Sequence, residues 1–399
     1  MVDRQAARYF AAMGALPQRS PGVLLAPMAD LSIAYDLLTE TAHLLNLSAG
    51  ELLARCDGLG SVEASVQEWA GASGADPVDV AADVDTALAS FAKLGLVDRR
   101  DVWTPPDPPA GATLPGDRPE GPAAGPPARA GATHRVIDFD IAFRSADPEL
   151  LDIVDAHLGT GRAEPRPTTF VDVERIATGE LRLCTETERT YPDLGALLDA
   201  LAGVVNEYAV RTHSCAALHA AALRAPGGPG GGTGEIVLLP APSGHGKSTL
   251  AAALVAAGWD YLGDEAIGVR PATLTAVGYP KRVALDAASR TVLGLPDTDA
   301  PETRPEDLRG GMVRLDGDVG PIGRVVLPRY VEGAEAALEA LDPAEAIVEL
   351  LANTLNLARS REVGLAAVCD LAGGVPVHRL THGGAPDAVV LIGSLVAPH

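Results

Sequence analysis

Residues 238–250 read "LLPAPSGHGKSTL". An apolar run over 236–239 leads in, and glycines stand at 244 and 246. A new pattern then carries Leu250, Leu254 and Val255 at helical spacing as far as Gly258. Strand, glycine-bearing loop and helix, in that order, make a phosphate cradle. Consecutive backbone N–H groups wrap the anion, and the positive end of the helix faces it. Ser243, Gly244, His245, Gly246, Lys247, Ser248 and Thr249 are therefore the candidate nucleotide-binding residues. Lys247 would reach the outer phosphates, and the Ser248 hydroxyl would meet Mg²⁺, which makes ATP and Mg²⁺ the expected ligands. Ala241 stands where the usual pattern opens with glycine. That position closes the strand and needs no phosphate contact, so an alanine with negative φ serves there.

Two neighbours sharpen the reading. Beyond the helix, "GWDYLGDEAIGV" (258–269) reads as a short strand through Tyr261 that ends in Asp264 and Glu265. Two carboxylates at a strand exit beside a phosphate loop can hold Mg²⁺ or take a proton from an attacking hydroxyl. Upstream, "LHAAAL" places His219 in a strand expected to pair with residues 236–239, as a third candidate catalytic residue. The glycine-rich stretch between those strands opens no helix and reads as a hairpin loop. Lys281 and Arg282 are further basic residues able to meet a phosphate or an acidic acceptor.

Working outward, residues 135–143 read as one strand and 148–158 as a helix, and two strands and a long helix from Leu194 follow. After Arg324 come "RVVLPRY" and a helix capped by Asp342 that is expected to run on to about Ser360. The closing segments beginning at Ala366 read as strands and a last short helix. Upstream, residues 104–132 are crowded with proline, glycine and alanine and cannot bury enough apolar surface to fold. This divides the chain into residues 1–102, a linker over 103–133 and residues 134–399. The first part shows three β-like runs, beginning at Gly22, Ser32 and Ala42, and then three helices. Asn46 or Ser48 caps the first helix, and the second spans 62 to about 69. The third has Asp76 as cap, Pro77 in the first turn, an apolar stripe through Val80, Val84, Leu88, Phe91 and Leu94, and Gly95 as stop. The expected fold is thus two-domain, α/β and α+β, with a small winged-helix-like β3α3 domain first.

"HLLNLSAGELLARCDG" and "DPVDVAADVDTALASFAKLGLV", at their separation, resemble the PqqD-like family, the RiPP recognition elements. That resemblance implies a leader segment of a ribosomally made precursor peptide, added as a strand between residues 42–47 and 80–94. "LHAAAL", the phosphate loop and "YLGDEAIGV" together resemble the HPr serine kinase family and its phosphoenolpyruvate-carboxykinase-like fold. The resemblance implies Lys247 on the β/γ-phosphates, Ser248 on Mg²⁺, Asp264 as base or metal ligand with Glu265 assisting, and His219 near the reacting groups. The arginine-, proline- and glycine-containing loop of bacterial HPr kinases has no counterpart, so HPr itself is not the expected acceptor.

The chain is 399 residues long, 47% hydrophobic and 21% charged, with a net charge of −22. Such a surface repels nucleic acid. No apolar run has the length of a membrane span, and no signal-peptide core opens the sequence, which points to the cytoplasm. Cys56, Cys184, Cys215 and Cys369 lie far apart and read as reduced, packed thiols. The function expected is an ATP·Mg-dependent kinase for a Ser or Thr of a leader-bound precursor peptide. Other peptide-modifying enzymes are further partners, and self-association is left open. A non-catalytic leader-binding scaffold and a kinase for a small metabolite are the alternatives.

Overall fold

The computed structural model describes residues 14–99, 128–158, 167, 169–185, 187–227, 234–278, 282–296, 302–303, 307–308 and 317–396. The chain divides into two compact units, Met1–Pro106 and Asp107–His399.

In the first unit β1 (Val23–Pro27), β2 (Leu31–Asp36) and β3 (Thr41–Asn46) form an antiparallel meander. Then come α1 (Leu47–Ala54), α2 (Val62–Ser73) and α3 (Pro77–Leu94). Asn46, not Ser48, caps α1, its side chain accepting from the Ala49 N–H at 2.8 Å. Asp76 caps α3, and Gly95 ends it at φ +74°. α2 runs a turn beyond the sequence expectation, to Ser73, because Gly74 rather than Trp69 supplies the left-handed stop. The apolar stripe of α3 (Val84, Leu88, Phe91) packs with Leu52 and Leu53 of α1 and Leu45 of β3. β3 is an outer strand of the sheet, paired to β2 alone among the described residues, and Leu44 on it is half-exposed.

The end of β2 is tied to the end of the unit. Asp36, fully buried, accepts from both Arg99 guanidinium nitrogens at 2.6 and 2.7 Å and from the Leu38 N–H and the Thr39 hydroxyl. Burial pushes the carboxyl up, but these donors outweigh it and hold it below its ordinary 3.8. A depressed carboxylate contributes stability that is complete above its unfolded pKa and is lost as pH falls through the folded one. The resistance of this unit to urea should therefore fall as the pH drops below about 5. Arg99→Leu should flatten the fall; an unchanged pH slope in the variant would refute this assignment.

The second unit opens with β4 (Arg129–Val136), β5 (Phe139–Ser145), α4 (Pro148–Leu158), β6 (Thr169–Arg175), β7 (Leu181–Cys184), β8 (Glu188–Tyr191) and α5 (Leu194–Ala209). The five strands form one sheet in sequence order, with β5 and β6 parallel. Leu150 and Val154 of α4 and Leu197, Leu201 and Val204 of α5 cover it. Two expectations need correction. Strand β4 begins at Arg129, inside the stretch assigned to the linker. Residues 135–143 form a hairpin rather than a single strand: Ile137, wholly buried, turns the chain at φ +54°. Neighbouring Asp138 holds that turn by accepting from the Thr212 and Ser214 hydroxyls and from Arg270. These partners are remote in sequence, so no local turn signal marks the site.

The second sheet follows, with β9 (Ala216–Arg224), β10 (Ile236–Pro240), α6 (Lys247–Ala256), β11 (Asp260–Gly263), β12 (Ala266–Val269) and β13 (Thr275–Gly278). β14 (Val283–Ala284) pairs with β15 (Glu302–Thr303), and α7 (Ala287–Val292) lies between them. The chain closes with β16 (Gly317–Tyr330), β17 (Ala337–Ala340), α8 (Pro343–Ala352), α9 (Leu357–Gly374), β18 (Val377–His382) and α10 (Ala385–Val396). The long β16 pairs first with β13 and then, in parallel, with both β10 and β18. β10 is thus held between antiparallel β9 and parallel β16, and β10, β16 and β18 point their carboxyl ends the same way. α6 and α10 pack over the core of Leu239, Val326 and Leu380.

The single helix expected from Pro343 to about Ser360 is broken at residues 353–356, which lie alongside β9. The Asn353 carbonyl accepts from the His219 N–H, and buried Asn356 bonds Ala217, Thr212 and Cys215 backbone groups. Residues 366–374, read as a strand, belong to α9. No helix among the described residues is long and apolar enough to cross a membrane. All four cysteines are free thiols; burial pushes Cys56, Cys215 and Cys369 up to about 12, about 11 and about 12.

Candidate phosphate-loop site

The loop leaves the buried end of β10 and enters α6 at Gly246, a cap residue at φ +79° with no side chain to offer. Gly244 stands at φ +83°, and Ala241 is not among the residues of positive φ. No side chain caps the start of α6 and no acidic residue stands in its first turn, so the helix's own residues leave its positive end unneutralised. Ser243 and Gly244 are exposed, whereas His245, Ser248 and Thr249 are partly covered. Thr249 does not face the loop alone: its hydroxyl lies 2.6 Å from that of Ser289 on α7.

Lys247 turns inward and is 7% exposed. Its Nζ donates to the Asp264 carbonyl at 2.9 Å and lies 3.1 Å from His219 Nε2. A charged lysine can only donate, so Nε2 is the accepting nitrogen of that ring. β9 pairs with both β10 and β12, which brings His219 opposite Ala266, one residue beyond Glu265. The three sequence elements therefore converge: His219, Lys247 and the Asp264–Glu265 corner meet at the start of α6. The two carboxylates part there. Asp264 is 1% exposed and accepts from the Tyr261 hydroxyl at 2.9 Å. Glu265 instead lines, with His219, a cavity of about 330 Å³ whose other walls are Asn206, Glu207, Val210, Ala266 and Leu355.

Of these, Tyr261, Asn206, Glu207 and Leu355 carried no functional signal in the sequence. Tyr261 alone was within reach of inspection, three residues before Asp264. Lys281 and most of the glycine-rich hairpin lie outside the described residues; Arg282 is described and is partly buried just before β14. Phosphates fit the loop by its two left-handed glycines and open helix end. Mg²⁺ asks for oxygen ligands and is commonly held by one or two carboxylates plus phosphate oxygens; Ser248 and Asp264 could furnish protein oxygens for it, whereas Glu265, also expected as a ligand, is turned to the cavity. Among the described residues no three His, Cys, Asp or Glu side chains gather as a metal cluster.

Residues 32–97 match a family model. It is that of coenzyme PQQ synthesis protein D, PqqD. The match spans β2 to the end of the first unit's helices, including β3 and α3. No curated protein matches the chain. Among solved structures, the Hpr(Ser) kinase/phosphatase from Coxiella burnetii aligns at 14% identity and a TM-score of 0.24, covering 45% of this chain and 87% of that one.

Proposed function

We propose that the protein is an ATP- and Mg²⁺-dependent kinase for a Ser or Thr hydroxyl of a ribosomally made precursor peptide, whose leader it binds through the first unit. The observation that carries the catalytic half is the meeting of Lys247, His219 and the Asp264–Glu265 corner at the start of α6, beside a cavity large enough for a side chain. The PqqD match and the outer edge of β3, unpaired among the described residues and with Leu44 beside it, support the recognition half. The second unit takes an HPr-kinase-like role and the first a winged-helix-like one.

The bound nucleotide would supply the phosphoryl group, with Mg²⁺ offsetting its charge. Lys247, drawn to the phosphates, would leave the Asp264 carbonyl and His219. His219 Nε2, relieved of the lysine, then faces the cavity as a proton acceptor, with Glu265 on the same wall. The acceptor oxygen bonds to the terminal phosphorus as the bond to the ADP oxygen breaks, and the hydroxyl proton passes to His219 or Glu265. Ser248 and Asp264 would hold Mg²⁺ beside the loop.

Incubating the protein with ATP, Mg²⁺ and short peptides encoded beside its gene should add one phosphate, read by mass spectrometry. Glu265→Gln should cut the rate by about 10²-fold or more while ADP binding persists. Leader binding without phosphate transfer, and without a nucleotide-dependent rise in melting temperature, would instead identify a peptide-delivering scaffold.

A further inference from the structure

Two side chains beside the loop play no part in the transfer described above. Tyr330 and His382 are the last residues of β16 and β18 and stand opposite each other in register. A Cβ on Gly246 would lie 3.6 Å from Tyr330 Cβ, 3.7 Å from His382 Cε1 and 3.9 Å from His382 Nε2. His382 is 2% exposed, and its Nδ1 lies 3.2 Å from the Gly384 carbonyl. A carbonyl only accepts, so Nδ1 carries the proton, and in the neutral ring Nε2 is an acceptor. That Nε2 is buried and has no hydrogen-bond partner among the described residues. Burial pushes the imidazole below its ordinary 6.5, which keeps the ring neutral at pH 7. A buried acceptor without a donor is costly, and it calls for an explanation.

The sheet supplies one. β10 is flanked by β9 on one side and β16 on the other. The groups gathered around Lys247 (His219 and the Asp264–Glu265 corner) stand on the β9 side. A nucleotide whose outer phosphate meets them must extend its remaining part the other way, over the carboxyl ends of parallel β16 and β18, where such sheets receive ligands. We infer that its nucleoside lies against Tyr330 and His382, with His382 Nε2 accepting a hydrogen bond from a sugar hydroxyl. Phosphate oxygens offer no donor at pH 7; a ribose does. Tyr330, 48% exposed, has its ring 5.8 Å from that of His382 at a steep angle, and offers a surface for the base. Gly246, the loop residue nearest Nε2, carries no side chain to block a ligand's approach. This inference rests on the phosphate-loop reading above.

The test compares Mg·ADP with Mg·pyrophosphate by calorimetry on the full chain. Tyr330→Ala and His382→Phe should each weaken ADP about tenfold and leave pyrophosphate affinity unchanged. His382→Gln, which keeps an acceptor, should recover part of the loss. Melting temperatures identify any variant that fails to fold, and Tyr330→Ala, at a half-exposed position, then decides alone. Equal losses for both ligands, or no loss for either, overturn the inference while leaving the loop reading intact. Wild-type protein that binds neither ligand overturns both.

Discussion

Lys247→Ala should reduce phosphoryl transfer by about 10²–10³-fold and weaken Mg·ADP binding, while the protein stays folded. The lysine is a cation able to move from its present partners to the phosphates without any change in the helix that carries it. It donates to a backbone carbonyl and lies within hydrogen-bond distance of a histidine. The loop is shaped by the φ values of Gly244 and Gly246 and by the seating of α6 through Leu250 and Leu254. Those features do not use the lysine side chain, so the variant should stay folded, with its melting temperature lowered because the Asp264 carbonyl and His219 Nε2 lose this donor. Lys247→Arg should not rescue: a planar guanidinium is larger and cannot replace a compact ammonium in a buried position. Single-turnover transfer to the peptide, followed by mass spectrometry, measures the effect. A variant rate close to that of wild type would remove Lys247 from the mechanism and with it the proposed chemistry.

Local pattern made the loop and the caps legible, because each is set within a few residues. Asp76 and Gly95 bracket α3 as their backbone preferences require, and the glycines at 244 and 246 take the left-handed values a phosphate loop needs. Nearness of His219, Lys247 and Asp264 followed from one hairpin and one crossover, so sequence order sufficed. What escaped reading depends on contacts between distant segments. Ile137 is a β-branched residue at positive φ, held there by burial and by the Asp138 partners near residues 212, 214 and 270. The break between α8 and α9 arises because residues 353–356 give their hydrogen bonds to β9, more than 130 positions away. The same limit hid the division of labour between Asp264 and Glu265. Adjacent residues at a strand exit point to different sides, and only the fold says which side is the cavity. Tyr330 and His382 were invisible for that reason too, being joined to the loop by parallel pairing alone.

Phe91→Ala should unfold the first unit and abolish leader binding while sparing the nucleotide site. Phe91 is among the largest fully enclosed side chains and packs in one cluster with Leu45, Leu52, Leu53, Val84 and Leu88. Truncating a buried phenylalanine costs about 3–5 kcal/mol, against a total stability of about 5–15 kcal/mol for a domain, and a unit this small stands toward the lower end of that range. The cavity would open between α3 and Leu45 of β3, the strand whose outer edge is proposed to receive the leader. Binding should thus fail even in the fraction that stays folded, because a strand without its packing no longer holds a fixed edge. The cores of the second unit contain none of these residues. Calorimetry should accordingly show one transition lowered or lost and the other unmoved, with ADP still raising the latter. Phe91→Leu, which keeps most of the volume, should cost less than about 1.5 kcal/mol and retain peptide binding, separating loss of packing from loss of a contact. Wild-type leader affinity in a Phe91→Ala protein whose first unit has melted would place the leader elsewhere on the chain, and the recognition role would pass from β3 and α3 to the second unit.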